Sequence, residues 1–260
     1  MATGYLMSIY IGRIGGVSHV GFYNSGVSII NTYMTMIFGA MATDYYPRLS
    51  GLANDNVKAR ELINQQAELA ILIIAPLLIV FIIFIKPIIL MMYTAKFLVI
   101  LDMVQFFALG IFFKAITWSM GFMMLAKGDA KLFFISELAA NIYVLLINMF
   151  FYKVYGLTGL GISFILSYVL GLLQTYAIIK IKYKFSFNKE LVQLFVLLFI
   201  LAVISFLVMH FVNVSARYWI AIAIMIFTIV FSIKVLNNRI QIADLIRNKY
   251  NITLPWLKKP

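Results

Sequence analysis

Apolar residues in this chain run in long blocks that do not alternate with polar ones. Seven blocks stand out: Val17–Thr43, Leu69–Ile85 (with Pro87–Tyr93 as a broken continuation), Phe97–Ala126, Leu132–Phe151, Leu157–Ile179, Leu191–Val212 and Tyr218–Leu236. A helix that crosses a bilayer needs about 20 mostly apolar residues, whereas a barrel strand is about half as long and alternates. Hydrocarbon offers the backbone no hydrogen bonds, so only helices or closed barrels span it. The pattern therefore predicts an all-α, polytopic transmembrane bundle.

An eighth apolar run, Met1 to Ile11, is too short to span and ends at Gly12-Arg13. It lacks the charged lead and small-residue cleavage site of a signal peptide. It reads as the last half of a helix whose beginning is missing, and the chain as the C-terminal part of a longer protein. Residues Asn56–Gln66 read as a lead-in to the next span. In the tail Asn237–Pro260, Ile240, Ile242, Leu245 and Ile246 alternate with charges. A surface-lying amphipathic helix and a solvated tail both fit that pattern.

Composition strengthens the membrane reading. The chain is 64% hydrophobic and 12% charged, with a mean hydropathy of +1.01; soluble domains are about 25% charged. A soluble enzyme, a disordered chain and a nucleic-acid-binding domain are excluded. The net charge of +12 resolves into loops. One side holds Arg48, Lys58, Arg60, Lys127, Lys131, Lys180, Lys182, Lys184, Lys189, Lys234, Arg239, Arg247, Lys249, Lys258 and Lys259. The other holds only Arg13, Lys86, Lys96, Lys153 and Arg217. Positive charge collects on the cytoplasmic side, which predicts a cytoplasmic C-terminus. The absence of cysteine removes disulfides, thiolate metal sites and cysteine nucleophiles.

Ionisable residues inside a bilayer are costly and usually face a bundle interior or wet cavity. Lys114 lies about 18 Å from the Ala126 end of its helix at 1.5 Å per residue. It is either a cationic contact for an anionic substrate or half of a structural ion pair. Glu137 lies about 9 Å in from its helix end. With Asn141 and Asn148 it falls within about 40° on the helix, forming one polar stripe. Asn24, Ser28, Asn31 and Thr35 form another. Two such stripes predict a wet cavity for a polar solute, or interhelical hydrogen bonding. Asp102 and Gln105 suit a cap or interface role, and Glu68 a reach to the headgroups. Gly159, Ser163, Ser167 and Gly171 form a small-residue ridge for close packing, with Gln174 beyond it. Tyr45, Tyr46, Tyr93, Tyr152, Tyr155, Trp219 and Trp256 read as interfacial belts. His19 and His210 show no ligand spacing, so no metal is expected. No Walker-A loop, dinucleotide-binding glycine motif or zincin motif is present. No cofactor is expected.

The loop segments carry a resemblance. Val20-Gly21-Phe22-Tyr23-Asn24-Ser25-Gly26, then Asp44-Tyr45-Tyr46-Pro47-Arg48-Leu49, resemble the polysaccharide/O-antigen flippase family. That family is the polysaccharide transporter branch of the MATE-like flippase superfamily. Gly110 to Lys114, Leu125 to Asp129 and Tyr155 to Gly161 match in order, within a similarity from Gly12 to Ile179. The resemblance implies that residues 1–179 form the second six-helix bundle, with its first helix truncated. Residues 180–236 would be two appended helices and 237–260 a cytoplasmic tail. It implies a bacterial inner-membrane transporter, not an enzyme, that moves polyprenyl-pyrophosphate-linked oligosaccharide outward by alternating access.

In that reading Lys114 attracts the anionic group and Glu137 is an ion-responsive switch. Asn141, Asn148, Asn24 and Asn31 bond sugar hydroxyls. The partners are the lipid-linked oligosaccharide, membrane lipids, a coupling proton or sodium ion, and the missing N-terminal bundle or a partner chain. Three rivals stand beside it: a MATE-like exporter of organic solutes, a membrane-embedded polymerase and a non-transporting assembly partner. The exporter would want acidic groups deep in the cavity. The polymerase would want a large outer loop, and the outer loops here are short.

Overall fold

The computed structural model describes residues 2–240. The helices are α1 (Ala2–Gly51), α2 (Asn56–Met92), α3 (Leu101–Ala126), α4 (Ala130–Tyr183), α5 (Lys189–Phe211) and α6 (Val214–Ile240). A 3₁₀ turn, Ala95–Ile100, leads into α3. Five helices among the described residues are long and apolar enough to cross a membrane. Residues 241–260, the greater part of the expected amphipathic tail, lie outside the described residues.

Two of these helices are hairpins. At 1.5 Å per residue the 54 residues of α4 would reach about 81 Å, against a hydrocarbon core of about 30 Å. The helix breaks at Gly156 (φ 60°, ψ −138°). Beyond that break the chain doubles back. Ser163 Oγ donates to Asn148 Oδ1 (2.5 Å) and Gln174 Nε2 to Ser136 Oγ (2.9 Å). Residues 38 apart touch only if the arms are antiparallel. In α1 the break is Gly16 (φ 80°, ψ 174°), a region essentially reserved for glycine. There Ser8 Oγ meets Asn24 Oδ1 at 3.4 Å. Each turn takes a single residue with non-helical backbone, a glycine in both cases.

Other boundaries also differ from the hydropathy blocks. Asp44 to Leu49, expected as a loop, is the last part of α1, with Pro47 accommodated inside the helix. The lead-in 56–66 is already helix, started by Asp55, whose side chain accepts from the Val57 and Lys58 amides. Pro87 does not break α2. Polar loop composition set the expected ends, but helices continue past the bilayer wherever caps and packing support them.

α2 is the buried centre: Ile63, Leu78, Ile79, Ile82 and Ile83 are all buried among its neighbours. It packs on α3, α5 and α6, while α3 packs chiefly on α4 and also on α1. Gly161 lets α4 approach α3 closely, since a Cβ there would lie 2.9 Å from the Met103 carbonyl oxygen. Tyr45, expected in an interfacial belt, is instead core, 1% exposed, and donates to the Ser119 carbonyl (2.6 Å). Tyr152 is likewise buried, sharing a hydrogen bond with His19 (2.9 Å). Tyr45→Phe is expected to lower unfolding stability by about 1 kcal/mol, the net worth of one hydrogen bond, measurable by denaturant unfolding in detergent.

The connections at 52–55, 127–129 and 184–188 meet at one end, the end marked by the Lys and Arg bias. Lys127 Nζ donates to the Ala53 carbonyl and to Asn56 Oδ1. Asp129 pairs with Lys182 (2.8 Å) and accepts from the Tyr183 hydroxyl. Lys182 foremost, and then Tyr183, hold the Asp129 carboxyl below the usual carboxylate range. Glu68 does not reach free to the headgroups: Arg239 binds it at 3.0 Å and also binds Glu190. At the opposite end Phe22 and Phe97 stack edge-on, and His210 lies 3.7 Å from Asp102.

Candidate functional site

A cavity of about 550 Å³ opens between α1, α3 and the two arms of α4. α3 supplies Lys114. The first arm of α4 supplies Glu137, Asn141 and Asn148, and α1 supplies Asn31. Five of the six residues singled out for substrate contact therefore share one cavity. Asn24 stands apart from them. It is exposed, does not line the cavity, and meets Ser8 across the α1 hairpin. It lies seven residues from Asn31 and shares its stripe, but the α1 hairpin turns the Asn24 end towards the short arm.

Lys114 is half-buried. Among the described residues no carboxylate lies within 4.0 Å of its ammonium, so the ion-pair reading finds no partner. Two aromatic rings hold it instead: Nζ lies 5.4 Å from the Tyr168 centroid and 6.0 Å from that of Phe38. Ring faces are negative, so they steady a cation without neutralising it. The charge stays available to an anion in the cavity.

The first α4 arm presents its polar groups in register. Asn141 Nδ2 donates to the Glu137 carbonyl (2.8 Å), and Thr3 Oγ1 donates to Asn141 Oδ1 (2.7 Å). That arrangement fixes the Asn141 amide. The Glu137 carboxylate has no cationic partner within 4.0 Å among the described residues.

The second α4 arm adds Ser167, Gly171 and Gln174, read from the sequence as a packing ridge and its extension, and Phe164, Tyr168 and Thr175, which sequence reasoning passed over. All six line the cavity. Their spacing of three and four residues was a usable signal, since it defines one helix face. The small-residue ridge divides along its length. A Cβ at Gly159 would lie 2.1 Å from the Phe151 carbonyl oxygen, so Gly159 closes the hairpin. Ser167 and Gly171 face the cavity, and the Ser167 hydroxyl is buried without a hydrogen-bond partner. Tyr23 and Tyr143 bring further aromatic surface. The lining combines one cation, one carboxylate, amides and hydroxyls with aromatic faces. It can bond a polar solute through its hydroxyls, stack on its apolar faces and attract an anionic group.

Comparison with known proteins gives two positive findings. Residues 1–102 match a family described as "Polysaccharide biosynthesis protein". The structure is similar to that of lipid II flippase MurJ in an inward closed conformation, with 18% sequence identity and a TM-score of 0.60. The similarity covers 93% of this chain and 53% of that one, so the chain spans about half the length of that protein. No curated protein matches. The family match covers less than half of the chain, and the likeness to MurJ is one of fold.

Proposed function

We propose that this chain forms one half of a flippase that moves a polyprenyl-pyrophosphate-linked oligosaccharide from the cytoplasmic to the outer leaflet of a bacterial inner membrane. The observation that carries the reading is the gathering of Lys114, Asn31, Asn141 and Asn148 with aromatic faces around one cavity between α1, α3 and α4. A hydrated sugar and a pyrophosphate cannot cross hydrocarbon without losing hydrogen bonds and charge solvation. Amides and hydroxyls replace the water at the sugar, aromatic rings take its apolar faces, and Lys114 attracts the pyrophosphate.

The carboxylate of Glu137, on the same wall, is the switch for a coupling proton or sodium ion. A second bundle, from the same or a partner chain, closes the other side of the cavity, and rocking of one bundle against the other exposes it alternately. The basic end faces the cytoplasm, as positive charge at a bilayer does. Lys114, the one lysine or arginine among the described residues lining the cavity, favours an anionic lipid-linked substrate over the organic cations of a drug exporter.

The test is leaflet-specific detection of the glycan. Cells making the protein should present the lipid-linked oligosaccharide to a lectin that cannot cross the inner membrane. Cells depleted of it should accumulate the same molecule out of the lectin's reach. Equal outer-leaflet labelling in both would sink the proposal.

A further inference from the structure

A second, smaller cavity of about 100 Å³ lies at the end opposite the basic one, among α2, α3, α5 and α6. It is far too small for an oligosaccharide, and it shares no residue with the larger cavity. Its polar lining is out of balance. Gln105 on α3 is 3% exposed. Its Nε2 donates to the Ile82 carbonyl at 3.2 Å, which fixes the amide orientation and turns Oε1 elsewhere. That oxygen is buried with no hydrogen-bond partner, and so is Nε of Arg217 on α6. Buried polar groups are nearly always paired, so an orphan acceptor and an orphan cationic donor in one cavity point to a missing ligand.

The surroundings define its chemistry. Lys86, exposed on α2, adds a second cation to the lining. The Arg217 guanidinium lies 5.1 Å from the Tyr218 ring centroid, which orients it without neutralising it. The acid at this end, Asp102, is engaged by His210 at 3.7 Å. Next in sequence to the lining residues His210 and Tyr218, Phe211 and Trp219 are each 78% exposed, as aromatic side chains are at the depth of lipid headgroups. The ligand must therefore be anionic, sit at headgroup depth and carry a hydrogen-bond donor for Gln105 Oε1.

We propose that this cavity holds the headgroup of one phospholipid from the leaflet at that end. Its phosphodiester lies against Arg217 and Lys86, and a headgroup hydroxyl or ammonium donates to Gln105 Oε1. The bound lipid ties α5 and α6 to α2 and α3 at a point where the protein alone leaves polar groups unpaired.

Native mass spectrometry of the full chain, released from detergent with added phosphatidylglycerol, tests this. One phosphatidylglycerol should be retained, and phosphatidylcholine, whose headgroup has no donor, should be held more weakly. Lys86→Gln with Arg217→Gln should reduce retention about tenfold or more, since each basic residue contributes to attraction for an anionic lipid. Lys86→Gln alone, at an exposed side chain that the fold does not need, should give a smaller loss in the same direction. Retention unchanged in both variants would overturn the site. Equal retention of the two lipids would overturn the role of Gln105. Displacement of the lipid by millimolar inorganic phosphate would overturn the lipid as the source and leave a free anion in its place.

Discussion

Lys114→Ala should reduce outward movement of the lipid-linked oligosaccharide by about 30-fold or more. The figure follows from the roughly 2 kcal/mol lost at the low end when one partner of a desolvated charge contact is removed. The ammonium has aromatic faces but no carboxylate within 4.0 Å among the described residues, so its charge is not consumed inside the protein. Lys114→Gln should lose nearly as much. Lys114→Arg should keep a substantial part, because the charge remains while the planar guanidinium changes the geometry. Leaflet-specific labelling of the glycan measures the effect. The unfolding midpoint of the same variants should barely move, because no ion pair is broken. Unchanged transport in Lys114→Ala would remove the residue from the site while leaving the fold and the family untouched.

Gly159→Val should be the most damaging small substitution for folding. Its Cβ would stand 2.1 Å from a backbone oxygen of Phe151 on the facing arm, and backbone cannot move aside as a side-chain tip can. Overpacking of this kind costs about 3 kcal/mol at the upper end of the usual range. The expected result is loss of monodisperse protein on size-exclusion chromatography, or a clear fall in the unfolding midpoint. Gly39→Ala is the control, since a Cβ there meets nothing within 4 Å. It should leave stability unchanged or raise it slightly, as alanine is the better helix former. Equal behaviour of the two variants would mean that the α4 hairpin is not closed as described.

Much of the cavity was legible because polarity inside an apolar run is rare. Lys114, Glu137, Asn141, Asn148 and Asn31 stood out against their neighbours, and they share one cavity. Asn24 stood out equally and lies elsewhere, since a stripe specifies a face and not what that face meets. Tyr168 and Phe164 were missed for the opposite reason. In a chain with 23 phenylalanines and 15 tyrosines, an aromatic residue carries no contrast until its neighbours are known. Ser167 was read as packing because a small residue on a ridge serves contact and cavity equally well. Its unpaired hydroxyl is visible only in three dimensions.

By itself, the sequence determined that this is a helical membrane protein, because such long apolar blocks leave the backbone no other way to satisfy itself in lipid. It also determined which ends of the helices carry the positive charge. Only the tertiary structure decided that each turn between the antiparallel arms narrows to one glycine, Gly16 or Gly156, and that Tyr45 belongs to the core. It alone joined Arg239 to Glu68 across 171 residues. The physical reason is that lipid-facing and protein-facing positions are both apolar. Hydropathy therefore says that a helix is in the membrane, but not which side of it meets another helix.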